Sequence, residues 1–283
     1  MKLRLLTLLA AVALTSLAGH AQSDTLTLRP ASVAVTLDVG HVRSLDTYIS
    51  PLRYEGTHFR LGFDRLRATR FNPQKWVWQI AAGLTYDHPS NPARNNSLQT
   101  VIADADFAMM HRWRFAHGLS VYAGGDLGFD GGVTYNPRNS NNVCSPIVHL
   151  AAGGTGMISW SSHLRKRPLV VRWQTTIPVV GGFFLPDYDQ SFYEMYLGNY
   201  SNTINFASWA NRFDMHNAIT ADIHFGAAAL RLGYRNEFTT LWENNISQRR
   251  CVHSLVVGVA WESLLIDPRR GLPEKARMIS ATY

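Results

Sequence analysis

The sequence predicts an all-β protein, a single antiparallel transmembrane β-barrel of about ten strands with long extracellular loops and short periplasmic turns. Three observations carry that expectation. Apolar and polar residues alternate with period two along most of the chain, the connections between these stretches alternate long and short, and tryptophans gather at one end of the strands.

The first stretch, MKLRLLTLLAAVALTSLAGHAQ, sets Lys2 and Arg4 before an apolar run and ends in small residues, Gly19 and Ala21. It reads as a secretory signal peptide over residues 1–21, cleaved after Ala21. The domain plan that follows is a barrel over residues 22–267 and a periplasmic tail over 268–283. Without the leader the chain carries 25 basic and 20 acidic residues. That mild excess suits anionic lipid head groups and offers no basic block of the kind nucleic acid requires, so nucleic acid is not an expected partner. Beyond the leader no apolar run is long enough to cross a bilayer as a helix.

Alternation is clearest in WVWQIAAGLTYDH, where Trp76, Trp78, Ile80, Ala82, Leu84 and Tyr86 share one face and Gln79, Gly83, Thr85 and Asp87 the other. The stretches VIADADFAMMHRW and LSVYAGGDLGFD repeat the scheme, with Asp104, Asp106, Asp126 and Asp130 on the polar side. Further strands are expected at residues 31–40, 57–70, 146–160, 168–177, 215–225, 228–238 and 251–262. Ten is even, as a bacterial barrel requires, and eight or twelve would satisfy the same rule.

Long connections are expected over residues 41–56, 88–97, 131–145, 178–214 and 239–250, with short ones near 72–75, 115–117, 163–167 and 226–227. Trp76, Trp78, Trp113, Trp160 and Trp261 then fall at the short-turn ends, on apolar faces, as an aromatic girdle would. Arg65 and Arg67 break the pattern by sharing parity with Phe59, Leu61 and Phe63, which a bulge or a strand end in the head-group zone explains. If the apolar faces meet lipid, Arg60, Asp64, Asp104, Asp106, Asp126, Arg172, Gln174, Asp222, His224, Arg231, Arg235 and Glu237 fill the lumen. The mixed signs point to ion pairs in a narrow lumen. Asp104, Asp106, Arg231 and Arg235 are also placed to line a solute path. A secreted soluble β-sandwich, with the apolar faces turned inward, is the competing architecture.

Two motifs could carry chemistry. In DHPSNPARNNS, His88 and Ser90 stand two apart with the outward parity of Trp78 and Tyr86, the arrangement in which an imidazole activates a hydroxyl against a lipid acyl bond. Asn91 would frame the pair, but Pro89 between them tends to end the strand, only Gln99, Asn96 or a group from another loop is left to orient His88, and the echo NPRNSNN at 136–142 has no His-x-Ser, so an Asn-rich turn is the stronger expectation. The longest loop sets Asp187, Asp189 and Glu194 among aromatic residues as a weak calcium or sugar site, against a lid with its aromatics turned inward. No Cys/His spacing marks a zinc site, and no cofactor is expected. Cys144 and Cys251 invite a disulfide, with two free thiols as the alternative.

SPLRYEG at 50–56, NPARNNS at 91–97, NPRNSNN at 136–142, GGFFLPDYDQSFYEMYLGN at 181–199 and ALRLGYRNEF at 229–238 together resemble a family of outer-membrane barrel proteins from Gram-negative gut-type bacteria that carries a domain-of-unknown-function label. The resemblance spans residues 45–262 and implies the barrel and the export route, with outer-membrane lipids and lipopolysaccharide as surroundings. It transfers no functional residue. The last residues, DPRRGLPEKARMISATY, do not alternate, so the barrel-assembly signal is expected near Leu255 to Trp261. Three functions follow as expectations: a non-enzymatic surface or binding protein that admits a small solute, a lipid or lipid A hydrolase using His88 and Ser90, and the soluble sandwich.

Overall fold

The computed structural model describes residues 26–264 and 276–282. The expected signal peptide and most of the expected tail lie outside them. A separate parallel pair joins β1 (Leu26–Leu28) to β13 (Ala276–Met278). All other strands belong to one antiparallel sheet: β2 (Ala31–Asp46), β3 (Ser50–Ala68), β4 (Trp76–Ser90), β5 (Gln99–Arg114), β6 (Leu119–Tyr135), β7 (Cys144–Leu164), β8 (Arg167–Phe184), β9 (Ile204–Ser208), β10 (Arg212–Phe225), β11 (Ala228–Glu243) and β12 (Ile246–Ser263). Neighbours in sequence pair in order, β12 pairs with β2, and β10 pairs with both β11 and β8. These pairings close a barrel of ten strands, to which short β9 adds on the upper part of β8.

Parity decides which way each side chain points. Leu61, Leu84, Leu127, Leu150 and Leu255 are all more than half exposed on the exterior, whereas Arg60, Thr85, His149 and Ser254 between or beside them are buried. An exposed apolar exterior around a polar interior inverts a soluble core, so the sandwich is excluded and the exterior is a surface for lipid. Trp76, Trp78, Trp113, Trp160 and Trp261 lie at the short-turn end. Arg65 lies there too, its guanidinium 5.5 Å from the Trp78 ring, and Arg67 donates to the Arg29 carbonyl.

Several expected loops are instead strand. β2 and β3 run on until only residues 47–49 join them, and β11 and β12 meet at Asn244–Asn245, both with positive φ. Asparagine tolerates the left-handed conformation such a two-residue hairpin demands. β4 continues through Pro89, which pairs with Gly56. A side chain at Gly56 would clash with the Pro89 Cα at 2.6 Å, so the bare glycine accommodates a proline that was expected to end the strand.

The long-loop end is capped by Tyr48, Ile49, Tyr54, Leu98, Phe183, Leu185, Met195, Ala207, Leu241 and Ile246, packed as one buried cluster. Asparagines lock the loops over it. Asn96 donates to Asn136 and Tyr54, Asn142 to the Tyr48 carbonyl, and Asn139 to the Ile49 carbonyl. The aromatic lid differs from expectation, because Tyr188, Tyr193, Tyr196 and Tyr200 face outward while Phe183, Leu185 and Met195 turn inward.

At the short-turn end the final residues re-enter the barrel. Ala281 is fully buried against Leu66, Val77, Ala108, Met110, Tyr122 and Met157. Arg112 Nη1 donates to the Ser280 and Ala281 carbonyls at 2.8 and 3.0 Å, and the Ser280 hydroxyl donates to Glu262. The expectation of a tail over 268–283 therefore needs correcting for residues 279–282, which are part of the barrel interior.

Candidate functional site

Between the cap and the C-terminal residues lies a cavity of about 250 Å³. Its wall is built by residues of all ten barrel strands and contains Arg60, Asp64, Asp104, Asp106, Asp126, Arg172, Arg231 and Arg235. Of the twelve residues assigned to the lumen from sequence, ten line this space, Asp104, Asp106, Arg172, Arg231 and Arg235 among them, while Asp222 and His224 lie outside its lining.

Most of these charges are matched. Asp64 of β3 accepts from Arg172 at 3.1 Å, Arg231 at 3.3 Å and Gln79 at 2.6 Å, which ties β3 and β4 to β8 and β11 across the lumen. The Gln79 and Gln174 amides exchange hydrogen bonds in the same layer. Arg231 also grips Asp222 with two bonds of 2.7 Å, and Arg235 reaches Asp38 at 2.7 Å. Arg250 joins Asp87 to Glu237, and the second Asp87 oxygen contacts His58 Nδ1 at 2.6 Å. Arg60 lies along the wall to meet Asp104, Nε to Oδ1 at 3.2 Å. A side chain at Gly83 would stand 2.2 Å from that guanidinium, so the bare glycine makes the approach. Such pairs repay much of the cost of desolvating each charge, and removing one partner leaves that cost uncompensated.

Asp106 and Asp126 are different. They sit on adjacent strands on either side of Gly128, whose absent side chain leaves room for Asp106 Oδ1. Neither forms an ion pair with an arginine or lysine among the described residues. Asp130, next to them, contacts His149 Nδ1 at 3.2 Å, and His216 lines the same wall. The cavity thus has one face where carboxylates outnumber cations. No group of three or more His, Cys, Asp or Glu residues is arranged to hold a metal ion among the described residues.

The other sequence candidates are placed as follows. His88 and Ser90 point to the exterior, His88 partly stacked on Tyr86, and His88 Nδ1 has no hydrogen-bond partner. Ser90 forms a bridge to Ser97 at the loop base, and Asn91 accepts from the backbone of Asn95 and Asn96. Among the described residues no hydrogen bond joins His88 to Ser90 and none holds His88 Nδ1. Asp187, Asp189 and Glu194 are not arranged as a group that could hold a metal ion. Glu194 closes a capping box with Ser191 on the short helix α1 (Phe192–Tyr196), and the S-x-x-E spacing that signals this was legible in the sequence. Cys144 and Cys251 are both free, on β7 and β12, with three strands, β8, β10 and β11, intervening along the shorter way round.

Comparison with curated proteins gives no match. Among solved structures the chain is similar to Neisserial surface protein A (9% identity, 81% of this chain and 96% of that one, TM-score 0.34), the β-domain of the Bordetella autotransporter BrkA (8%, 83% and 99%, 0.39) and the outer membrane protease OmpT from Escherichia coli (7%, 83% and 97%, 0.39). At these scores none of their properties carries over. The family model described as "Protein of unknown function (DUF3316)" matches residues 1–270, and with the barrel in place the chain belongs to that family.

Proposed function

We propose that the protein is an outer-membrane barrel, exported through its N-terminal signal, whose lumen binds a small polar solute with a cationic group and neither conducts nor catalyses. The single observation that carries this reading is the unmatched carboxylate pair Asp106 and Asp126, facing a capped cavity in which Asp64, Asp87, Asp104 and Glu237 are all held by arginine. Charge in a space of low polarity attracts compensating charge, and an ammonium group supplies both charge and donors to two carboxylates. A cavity capped by packed apolar clusters at both ends supports binding over a through-path. The apolar exterior supports a setting of outer-membrane lipids and lipopolysaccharide.

Titration calorimetry of the detergent-solubilised barrel with ethanolamine and putrescine tests the reading. It expects saturable binding that falls at least tenfold in Asp106→Asn and Asp126→Asn. Absence of binding by both amines, or binding unchanged in both variants, rejects it.

A further inference from the structure

On the exterior, five adjacent strands change from apolar to polar along one hydrogen-bonded row. Leu255, Tyr234, Val39, Phe59 and Tyr86 end the apolar stripes. The next outward row is Asn236, His253, His41, Thr57 and His88, and the one after it Phe238, Cys251, Arg43, Glu55 and Ser90. Within this band three side chains from two strands are bonded in sequence. Cys251 Sγ lies 3.5 Å from His253 Nε2, and His253 Nδ1 takes a short hydrogen bond with the Tyr234 hydroxyl, with the Asn236 amide 3.4 Å away. Arg43, the cross-strand partner of Cys251, is ion-paired to Glu55 at 3.2 Å.

The geometry points to a thiol–imidazole acyl-transfer site, Cys251 and His253, at the boundary of the lipid-facing surface, acting on acyl esters of the surrounding lipid. It is independent of the lumen. In the tautomer with its proton on Nδ1, donated to the Tyr234 oxygen, His253 keeps the Nε2 lone pair for the Cys251 thiol. Nε2 takes the thiol proton, the sulfur bonds to the ester carbonyl carbon, and charge develops on the carbonyl oxygen beside Arg43. The carbon–oxygen bond breaks, the leaving alcohol takes the proton from Nε2, and the acyl group remains as a thioester. Water then hydrolyses that thioester to the free fatty acid and restores the thiol. The thiolate is the more reactive form of the nucleophile, and a base in hydrogen-bond contact supplies it. Position selects the substrate class, because His253 and Cys251 follow directly on Leu255, Val257 and Val259 along one outward face, where acyl chains end and ester groups begin. Tyr234 acts through His253 as a positioning residue.

The test incubates the full chain in detergent micelles with p-nitrophenyl palmitate and locates acyl groups by mass spectrometry of the intact and digested protein. The expected result is a hydroxylamine-labile palmitoyl group on Cys251, formed at least tenfold faster than on Cys144. His253→Ala slows it by a hundredfold or more, within the usual range for a general base. Tyr234→Phe displaces the pH at which acylation is half-maximal. Micelles of phosphatidylethanolamine or of lipopolysaccharide in place of the probe identify which lipid loses its fatty acid. Because all three residues are on the exterior, a gel-mobility difference between heated and unheated protein verifies that each variant is folded. No acyl group on Cys251, equal acylation of Cys144, or a rate untouched by His253→Ala overturns the assignment.

Discussion

The Tyr122 hydroxyl donates to the Ala281 carbonyl at 2.9 Å, so strand β6 holds the segment around Ala281 inside the barrel. Arg112 of β5 makes the same attachment through two carbonyls. Together they use backbone acceptors of a short segment that has no strand partner, and they convert an open lower lumen into a packed one.

Deleting residues 279–283 is therefore expected to expose the lower lumen without preventing insertion, because β12 already closes the barrel on β2. In a background of Cys144→Ser and Cys251→Ser, Met110→Cys should resist maleimide in the full chain and react at least tenfold faster in the truncated one, since Met110 is fully buried against Ala281. Equal labelling in both chains would contradict the packing. Failure of the truncated chain to reach the membrane would contradict the internal assembly signal.

The Arg60–Asp104 pair offers a second test. Arg60→Ala leaves Asp104 inside the lumen without its cation and should cost about 3–5 kcal/mol in urea unfolding from vesicles. Replacing both residues by apolar ones of similar volume should recover most of that loss. Gly83→Ala should be destabilising by about 1–3 kcal/mol, because its methyl group would occupy the space of the Arg60 guanidinium. A neutral Gly83→Ala would show that Arg60 does not lie along that wall.

Tyr48 predicts a pH response of the cap. Its hydroxyl donates to the Gln190 carbonyl at 3.0 Å from the turn between β2 and β3, and burial, then the nearby charges of Asp46 and Glu194, push its pKa up to about 12. A phenol that ionises at a higher pH when folded contributes stability that is complete below its unfolded pKa near 10 and is lost as pH rises through 12. Protease cleavage within residues 185–203 should accelerate across pH 10–12 in the wild type. Tyr48→Phe, which cannot ionise, should lack that step, and an identical step in the variant would remove Tyr48 as its cause.

How much of this was legible in the sequence depends on the range of the interaction. Alternation over Trp76–Tyr86 and Ala103–Trp113 specified both faces, because a strand's side chains have no choice but period two. Closure with ten strands, the tryptophan girdle and the inward direction of Asp104, Asp106, Arg172, Arg231 and Arg235 follow from that. The entry of Ser280 and Ala281 left no pattern, since their partners are an arginine and a tyrosine that read as ordinary strand residues more than 150 positions earlier. The Cys251–His253–Tyr234 chain was hidden for the same reason. Cys251 and His253 are two apart in sequence, as His88 and Ser90 are, but only the register of β11 against β12 brings Tyr234 beside His253. Loop lengths were overestimated where strands run beyond the bilayer, as at β2 and β3, because polar strand and polar loop share a composition.

The most direct test of the central claim, a lumen sealed at both ends that binds and does not conduct, is a planar-bilayer recording of the full-length folded barrel. With Ala281 packed at one end and the Tyr48–Ile246 cluster at the other, current should stay at the level of the protein-free membrane. Steady stepwise conductance from the wild-type protein would contradict the claim.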